Sequence, residues 1–251
     1  MAVTGELKPP LTLEQLVTLF RQRVDDLPGD IVDATTAWQN DDDGLLWKNS
    51  EICQYADEAQ QELFIRRHKK DSTTVAITQI TVVAETGSYA FDSRILGIER
   101  VKFIDSAAKE FVLTKNTHQN LDFQRINWEG DSSGVVEEYI ENFEDREITL
   151  WRTPDLAGTL HLTVRRMPLV NLSWSLRHKL IEAPNETQYD LLDWMMFRAY
   201  MKRDAETEHP DLAAQHKALF DERVGERPSA HLQQVRRQER NIDRRVRPHY
   251  F

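Results

Sequence analysis

Residues 147–165 read Glu147-Ile-Thr-Leu-Trp-Arg-Thr-Pro-Asp-Leu-Ala-Gly-Thr-Leu-His-Leu-Thr-Val-Arg165. Along the second half Leu160, Leu162 and Val164 fall on one side of an extended chain and Thr159, His161 and Thr163 on the other, the pattern of a half-buried strand. Pro154, Asp155 and Gly158 supply turn chemistry, so the stretch predicts a β-hairpin of 147–151 against 159–165. The same two-residue period holds through the middle of the chain. Val75 and Ile77, then Ile80 and Val82, alternate with polar residues, and their change of parity predicts a bulge or a turn. Further strands are expected at 98–104 and 110–114, making the central third a small antiparallel sheet.

On either side of this region the period becomes helical. A first helix is predicted to open at Thr12, where Thr12 and Gln15 have the spacing of a capping box and Leu11 can pack on Leu16. Its apolar face is Leu13, Leu16, Val17, Phe20 and Val24, and Pro28-Gly29 follows its end. After an acidic loop over 29–46, a second helix is predicted over 49–68 from the stripe Ile52, Tyr55, Ala56, Ala59 and Leu63, closing on Arg66-Arg67-His68-Lys69-Lys70. Helical period returns after Pro184-Asn185 with Tyr189, Leu192, Met196 and Ala199 flanked by further apolar residues, the mark of a central, buried helix. His209-Pro210-Asp211 breaks the chain, and a last helix runs to Gly225. The expected fold is α+β: a small helical bundle (1–70 and 184–226), an inserted antiparallel β region (71–183) and an extended C-terminal arm (227–251).

Composition narrows the function. The chain has 251 residues, 32 Lys+Arg against 42 Asp+Glu, a formal net charge of −10 and one cysteine. Its mean hydropathy is −0.60. The 40% of apolar residues suffices for a core. Cys53 alone makes neither an internal disulfide nor a cysteine zinc site, and its place beside the Ile52 stripe reads as packing. A reducing place of synthesis is the expectation. The sequence has no apolar run of about 18 residues, and its start lacks the pattern of a signal peptide.

The charge is uneven. Residues 228–251 hold six arginines and two acids, a net +4, so residues 1–227 carry −14. An acidic body joined to a basic end suggests an arm made for a partner.

The sequence carries little of the patterning that catalysis needs. Neither phosphate-loop pattern, no H-E-x-x-H and no G-x-S-x-G is present. His209 and His216 are separated by the Pro210 break, and Asp41-Asp42-Asp43-Gly44 does not match the spacing of a calcium loop. The run from Glu129 to Glu147 holds eight acids against Arg146, with no His, Lys or metal-ligand pattern nearby to turn Glu137, Glu138 and Glu141 into a catalytic set. Trp128, Trp151, Trp174 and Trp194 read as core or interface anchors. No enzyme activity, cofactor or metal is expected.

Four stretches, taken in order, resemble the head-to-tail adaptor (connector, head-completion) proteins of tailed bacteriophages. They are Leu46-Trp47-Lys-Asn-Ser-Glu51-Ile52-Cys-Gln-Tyr55-Ala-Asp57-Glu58-Ala59-Gln60, Tyr89-Ala-Phe91-Asp92-Ser-Arg94-Ile95-Leu-Gly-Ile98, the span from Ile148 to Leu160, and Leu191-Leu192-Asp-Trp194-Met-Met-Phe-Arg198-Ala199-Tyr200-Met-Lys-Arg-Asp204-Ala205-Glu206. Together they mark out about residues 45–225. Lys48 departs from the Ser or Thr cap usual in such adaptors. The resemblance implies a structural virion protein at the head-tail junction, made in the host cytoplasm. Copies would form a ring, dodecameric by family analogy, between portal and tail protein, which seals packaged DNA and passes it at ejection. It also implies a portal-binding role for the arm residues Leu232, Val235, Arg236, Arg237, Arg240, Ile242, Arg244, Arg245, Val246, Arg247, Tyr250 and Phe251. A ring around moving duplex should not grip phosphates, so Asp41, Asp42, Asp43, Glu137, Glu138 and Glu141 are candidates for an acidic channel lining. The alternative is a nucleic-acid-binding accessory protein that uses the same arginines on DNA, which the −14 body disfavours. A hydrolase using the acids of 129–147 ranks third.

Overall fold

A computed structural model describes residues 9–27, 45–67, 69–125, 127–142, 145–204 and 206–229. In chain order the elements are α1 (Leu13–Val24), α2 (Asn49–Arg67), β1 (Lys69–Asp71), α3 (Val75–Thr78), β2 (Gln79–Val82), β3 (Ser88–Ala90), β4 (Ile95–Asp105), β5 (Glu110–Asn116), α4 (His118–Gln124), β6 (Glu138–Asn142), β7 (Glu147–Trp151), β8 (Gly158–Arg166), α5 (Leu191–Tyr200) and α6 (Pro210–Val224). Among the described residues there are also three short 3-10 turns, at Trp128–Gly130, Trp174–Leu176 and Asn185–Asp190. The fold is α+β. The described residues fall into two compact units, one within Met1–His68 and Met167–Arg227, the other Lys69–Arg166 with Pro228 and Ser229.

The first unit is helical. The capping box at Thr12 forms as its spacing predicts: Gln15 N donates to Thr12 Oγ1 (3.3 Å) and Thr12 N to Gln15 Oε1 (3.0 Å). A helix start leaves further amides without partners. Those of Leu13 and Glu14 are taken by the carbonyls of Lys179 (3.2 Å) and Arg177 (2.9 Å), and Ile181 N donates back to Leu11 O (3.0 Å). Gln188 seals the joint, its Oε1 accepting from Leu11 N (2.7 Å) and its Nε2 donating to Ala183 O (2.9 Å). One core then joins Leu13, Leu16, Val17 and Phe20 of α1, Ile52, Cys53, Ala56, Ala59, Leu63 and Phe64 of α2, Leu191, Leu192, Met195, Met196 and Ala199 of α5, and Phe220 and Val224 of α6.

Between α1 and α2 sits a buried guanidinium. Arg21, fully enclosed, donates to Asp26 Oδ2 (2.5 Å), Trp47 O (2.9 Å) and Asn49 Oδ1 (2.8 Å). Asp26 Oδ1 in turn accepts from Leu46 N (2.8 Å). Trp47 packs edge-on against Phe20 and Tyr200. At the start of α2, where Lys48 offers no hydroxyl, Glu51 supplies the cap by accepting from Lys48 N (3.1 Å).

The second unit is an eight-stranded sheet of order β1-β8-β4-β5-β6-β7-β3, with β2 also pairing β8. It corrects three expectations. The sheet is mixed rather than antiparallel, because β5 and β6 run parallel, and α4 and the turn at Trp128–Gly130 lie in the crossover that parallel strands require. Residues 147–165 do not form a hairpin: β7 pairs β6 and β3, whereas β8 pairs β4, β1 and β2. The connecting loop is held by other segments. Gly134 N donates to Thr153 O (2.8 Å), Glu85 N to Pro154 O (2.8 Å) and Ser106 N to Ala157 O (2.8 Å), which draws the two strands apart. Gly158 serves close approach, since a Cβ there would collide with Ile104 O. The third correction concerns Val75 and Ile77, which sit in the helical turn α3. Asp71 accepts from Thr73 N (2.9 Å), Thr74 N (3.1 Å) and Thr74 Oγ1 (2.7 Å), an Asx turn that starts the helix and absorbs the change of parity. The face read for Leu160, Leu162 and Val164 is buried.

Asp71 also accepts from Arg166 Nε (2.6 Å), so one buried carboxylate ties β1 to β8. Burial raises its pKa, but the bonds from Thr74, Thr73 and Arg166 outweigh burial and hold the carboxyl well below the usual range.

Two outcomes follow. Asp26→Ala leaves the Arg21 charge enclosed without its carboxylate and should cost about 3–5 kcal/mol in denaturant titration. Because folding depresses the Asp71 pKa, its contribution is complete above the unfolded value near 4 and is lost as pH falls through the native value. Asp71→Asn should therefore flatten the loss of stability below about pH 4, read by thermal melts against pH.

Candidate functional site

The last turn of α2 holds the end of α6. Arg66 Nη1 donates to Asp221 Oδ1 (2.6 Å) and Gly225 O (2.8 Å), while its Nε pairs with Glu62 Oε2 (3.2 Å). Its guanidinium lies 4.9 Å from the Phe220 ring centroid and 5.5 Å from that of Trp194. Arg67 donates to Arg223 O and to Val224 O (3.5 Å). Two arginines that complement the dipole of their own helix thus also satisfy the terminal carbonyls of another. Arg227 extends the clamp through Glu62 Oε1 (3.1 Å). Burial raises the Asp221 pKa, and the bonds from Arg66 and Lys217 overcome this and lower it. Asp193 joins α5 to α6 through His216 Nδ1 (3.2 Å) and Arg223 Nη1 (2.6 Å). The chain thus leaves α6 at Gly225 from a fixed point.

The candidate arm residues, from Leu232 to Phe251, lie outside the described residues. So do Asp41, Asp42 and Asp43, although the chain on either side, at Asp26 and Leu46, is joined by the Arg21–Asp26 network. Of the other acids, Glu137 is exposed and Glu138 half-buried, accepting from Asn116 Nδ2. Glu141 turns inward. Its side chain is 2% exposed and pairs with Lys115 Nζ at 2.8 Å. Burial, with Glu141 beside it, pushes the Tyr139 phenol above its usual range. The structure therefore does not bring the three glutamates together on one surface. Among the described residues, no group of three or more His, Cys, Asp or Glu is placed to hold a metal, and no helix is long and apolar enough to cross a membrane.

A cleft of about 330 Å³ in the second unit is lined by Gly87, Ser88, His118, Trp128, Glu129, Asp131, Thr149, Leu150, Trp151, Arg152 and Thr153. Trp128 and Trp151, with Leu121 and Ile140, form the small core beneath it. Trp128 Nε1 donates to Asp122 Oδ1 (2.8 Å) and Trp151 Nε1 to Asp131 Oδ2 (3.1 Å). Guanidiniums of Arg125 and Arg152 lie 4.2 and 5.8 Å from the Trp151 ring centroid. Residue type alone identifies both tryptophans as anchors, whereas the cleft depends on the crossover between the parallel strands, which brings Trp128 into one cluster with Trp151.

Residues 13–248 match the family model described as SU10 adaptor protein. No curated protein matches the chain. Arg66→Ala should lower stability by about 2–3 kcal/mol in denaturant titration, and Arg66→Lys, which keeps the charge but not the planar fork, should recover only part of the loss.

Proposed function

The chain belongs to the SU10 adaptor protein family, a family of bacteriophage structural proteins, and from that premise we propose that it joins head to tail as one copy in a ring, dodecameric by family analogy, between portal and tail. In this reading the helical unit within 1–68 and 167–227 carries the partner-binding segments, and 69–166 is a β insertion. The ring seals packaged DNA and passes it at ejection without catalysis.

The clamp at the end of α6 carries the proposal. Arg66, Arg67 and Glu62 hold the chain through Arg227, and the residues that follow, 228–251, are those with net charge +4. At about 3.3–3.6 Å per residue such a segment can extend about 80 Å, and its mixture of arginine, aliphatic and aromatic residues is the chemistry of interface anchors. We assign it to an acidic surface of the portal. Glu137 and Glu138, at the surface, remain candidates for an acidic lining together with 41–43; the duplex then meets like charge and is not held.

A chain ended after Ser229 keeps the whole clamp. It should fold and stay soluble yet fail to join portal-containing heads in an attachment assay. Attachment at the full-length level would refute the arm's role, and steep, salt-sensitive binding of the full chain to duplex DNA would favour the nucleic-acid-binding alternative.

A further inference from the structure

We propose that the arm, residues 230–251, docks on the loop end of the sheet of its own chain, at the apolar and acidic surface around Val83, Val135 and Leu156, and is held there until a partner displaces it. The contact rests on the reading of the arm as a docking segment.

Three loops converge on residues 152–157. Glu85 N donates to Pro154 O, Gly134 N to Thr153 O and Ser106 N to Ala157 O, each at 2.8 Å, and Gly134 bridges Pro154. The Tyr89 hydroxyl fixes the turn beside them, accepting from Val83 N (3.2 Å) and donating to Thr86 O (2.6 Å). Three large apolar side chains stand on this bonded frame in contact with solvent: Val83 is 59% exposed, Val135 46% and Leu156 42%. The four segments involved, 83–87, 105–109, 131–137 and 152–157, hold five acids against Lys109 and Arg152, a net −3. Asp105 is spent on Ala107 N and Lys109 N, and Asp131 on Trp151 Nε1. Glu85, Glu137 and Asp155 are exposed and make no ion pair among the described residues. The two cations lie beside aromatic rings, Lys109 4.9 Å from the Phe111 centroid and Arg152 5.8 Å from that of Trp151.

The arm is the complement of this surface. Its six arginines, against Glu239 and Asp243, answer the free carboxylates, and Leu232, Val235, Ile242 and Val246 between them answer the valines and Leu156. Its starting point is right as well. Pro228 and Ser229 already group with the sheet in one compact unit, and the 22 residues that follow reach about 70 Å at ~3.3 Å each. A domain of about 100 residues has a radius of gyration of only about 13 Å, so the arm can arrive at any point of the sheet. Tethering decides which copy it meets. A short link gives an effective concentration on the order of millimolar, so a contact too weak to join free chains at micromolar concentration is filled within one chain. Any partner of the arm then competes with the arm's own chain, and its apparent affinity falls in proportion to the fraction of chains whose arm is free.

Photo-cross-linking in the full chain tests the site. A benzophenone is attached at Leu156→Cys, native Cys53 being buried, and dilute protein is irradiated and digested for mass spectrometry. Position 156 should link to peptides of 230–251 in the same chain, and the same probe at Val135→Cys should report the same segment. Glu85→Gln with Asp155→Asn, which keep side-chain shape and remove charge, should lower the yield several-fold, as should about 0.5 M salt. Links only to residues outside 230–251, links only between chains, or a yield unchanged by the neutralised acids would overturn the proposal. Absence of the link in a protein whose head attachment still needs the arm overturns this storage alone. A link formed in full, together with normal attachment by the chain ended after Ser229, overturns the portal reading and leaves the stored arm standing.

Discussion

The amides at the start of α1 need acceptors, and residues 177–179 supply them from the far end of the sequence. That requirement governs the rest of the molecule. A first unit assembled from residues before 68 and after 167 closes its core only when the chain has passed through the second unit and come back. The sheet makes this possible by beginning and ending on the same ladder, with Lys69 opposite Arg166. The Asp71–Arg166 pair at 2.6 Å locks that ladder, and Gln188 locks the return where it reaches Leu11. Buried charge therefore sits where distant parts of the chain must meet, while the bulk of the core is aliphatic and aromatic.

The same logic sets where the chain leaves the first unit. Asp26 and Arg21 hold the residues flanking 28–44, and Arg66 and Arg67 hold the end of α6. In both places a guanidinium is matched to a carboxylate and to backbone carbonyls, and its planar fork fixes direction as well as distance. A family whose members join other proteins gains from such anchorage, because a segment that starts from a fixed root loses less freedom when it docks.

What could be read from sequence follows the range of its determinants. Thr12 and Gln15 lie three residues apart and cap α1 directly, Pro210 opens α6, and Gly225 closes it at φ 96°. The buried stripe on α2 holds Ile52, Ala56, Ala59 and Leu63 as spaced. The sheet depended on partners far away. Pro154 and Gly158 looked like a turn within a hairpin, but their backbone is claimed by Glu85, Gly134 and the end of β4, none of which local pattern could name. Alternation by itself makes Val75 a strand residue, because it ignores the Asx turn that Asp71 builds. Glu141 looked like one more surface acid, and only the parallel pairing of β5 with β6 brings Lys115 to it. The cleft was hidden for the same reason.

Ring assembly on a portal is the central claim, and electron microscopy of the full chain mixed with the portal of its own virion tests it most directly. The account predicts a ring of this protein seated on one end of the portal, co-purifying with it. A chain that stays monomeric beside an unoccupied portal under those conditions would contradict it.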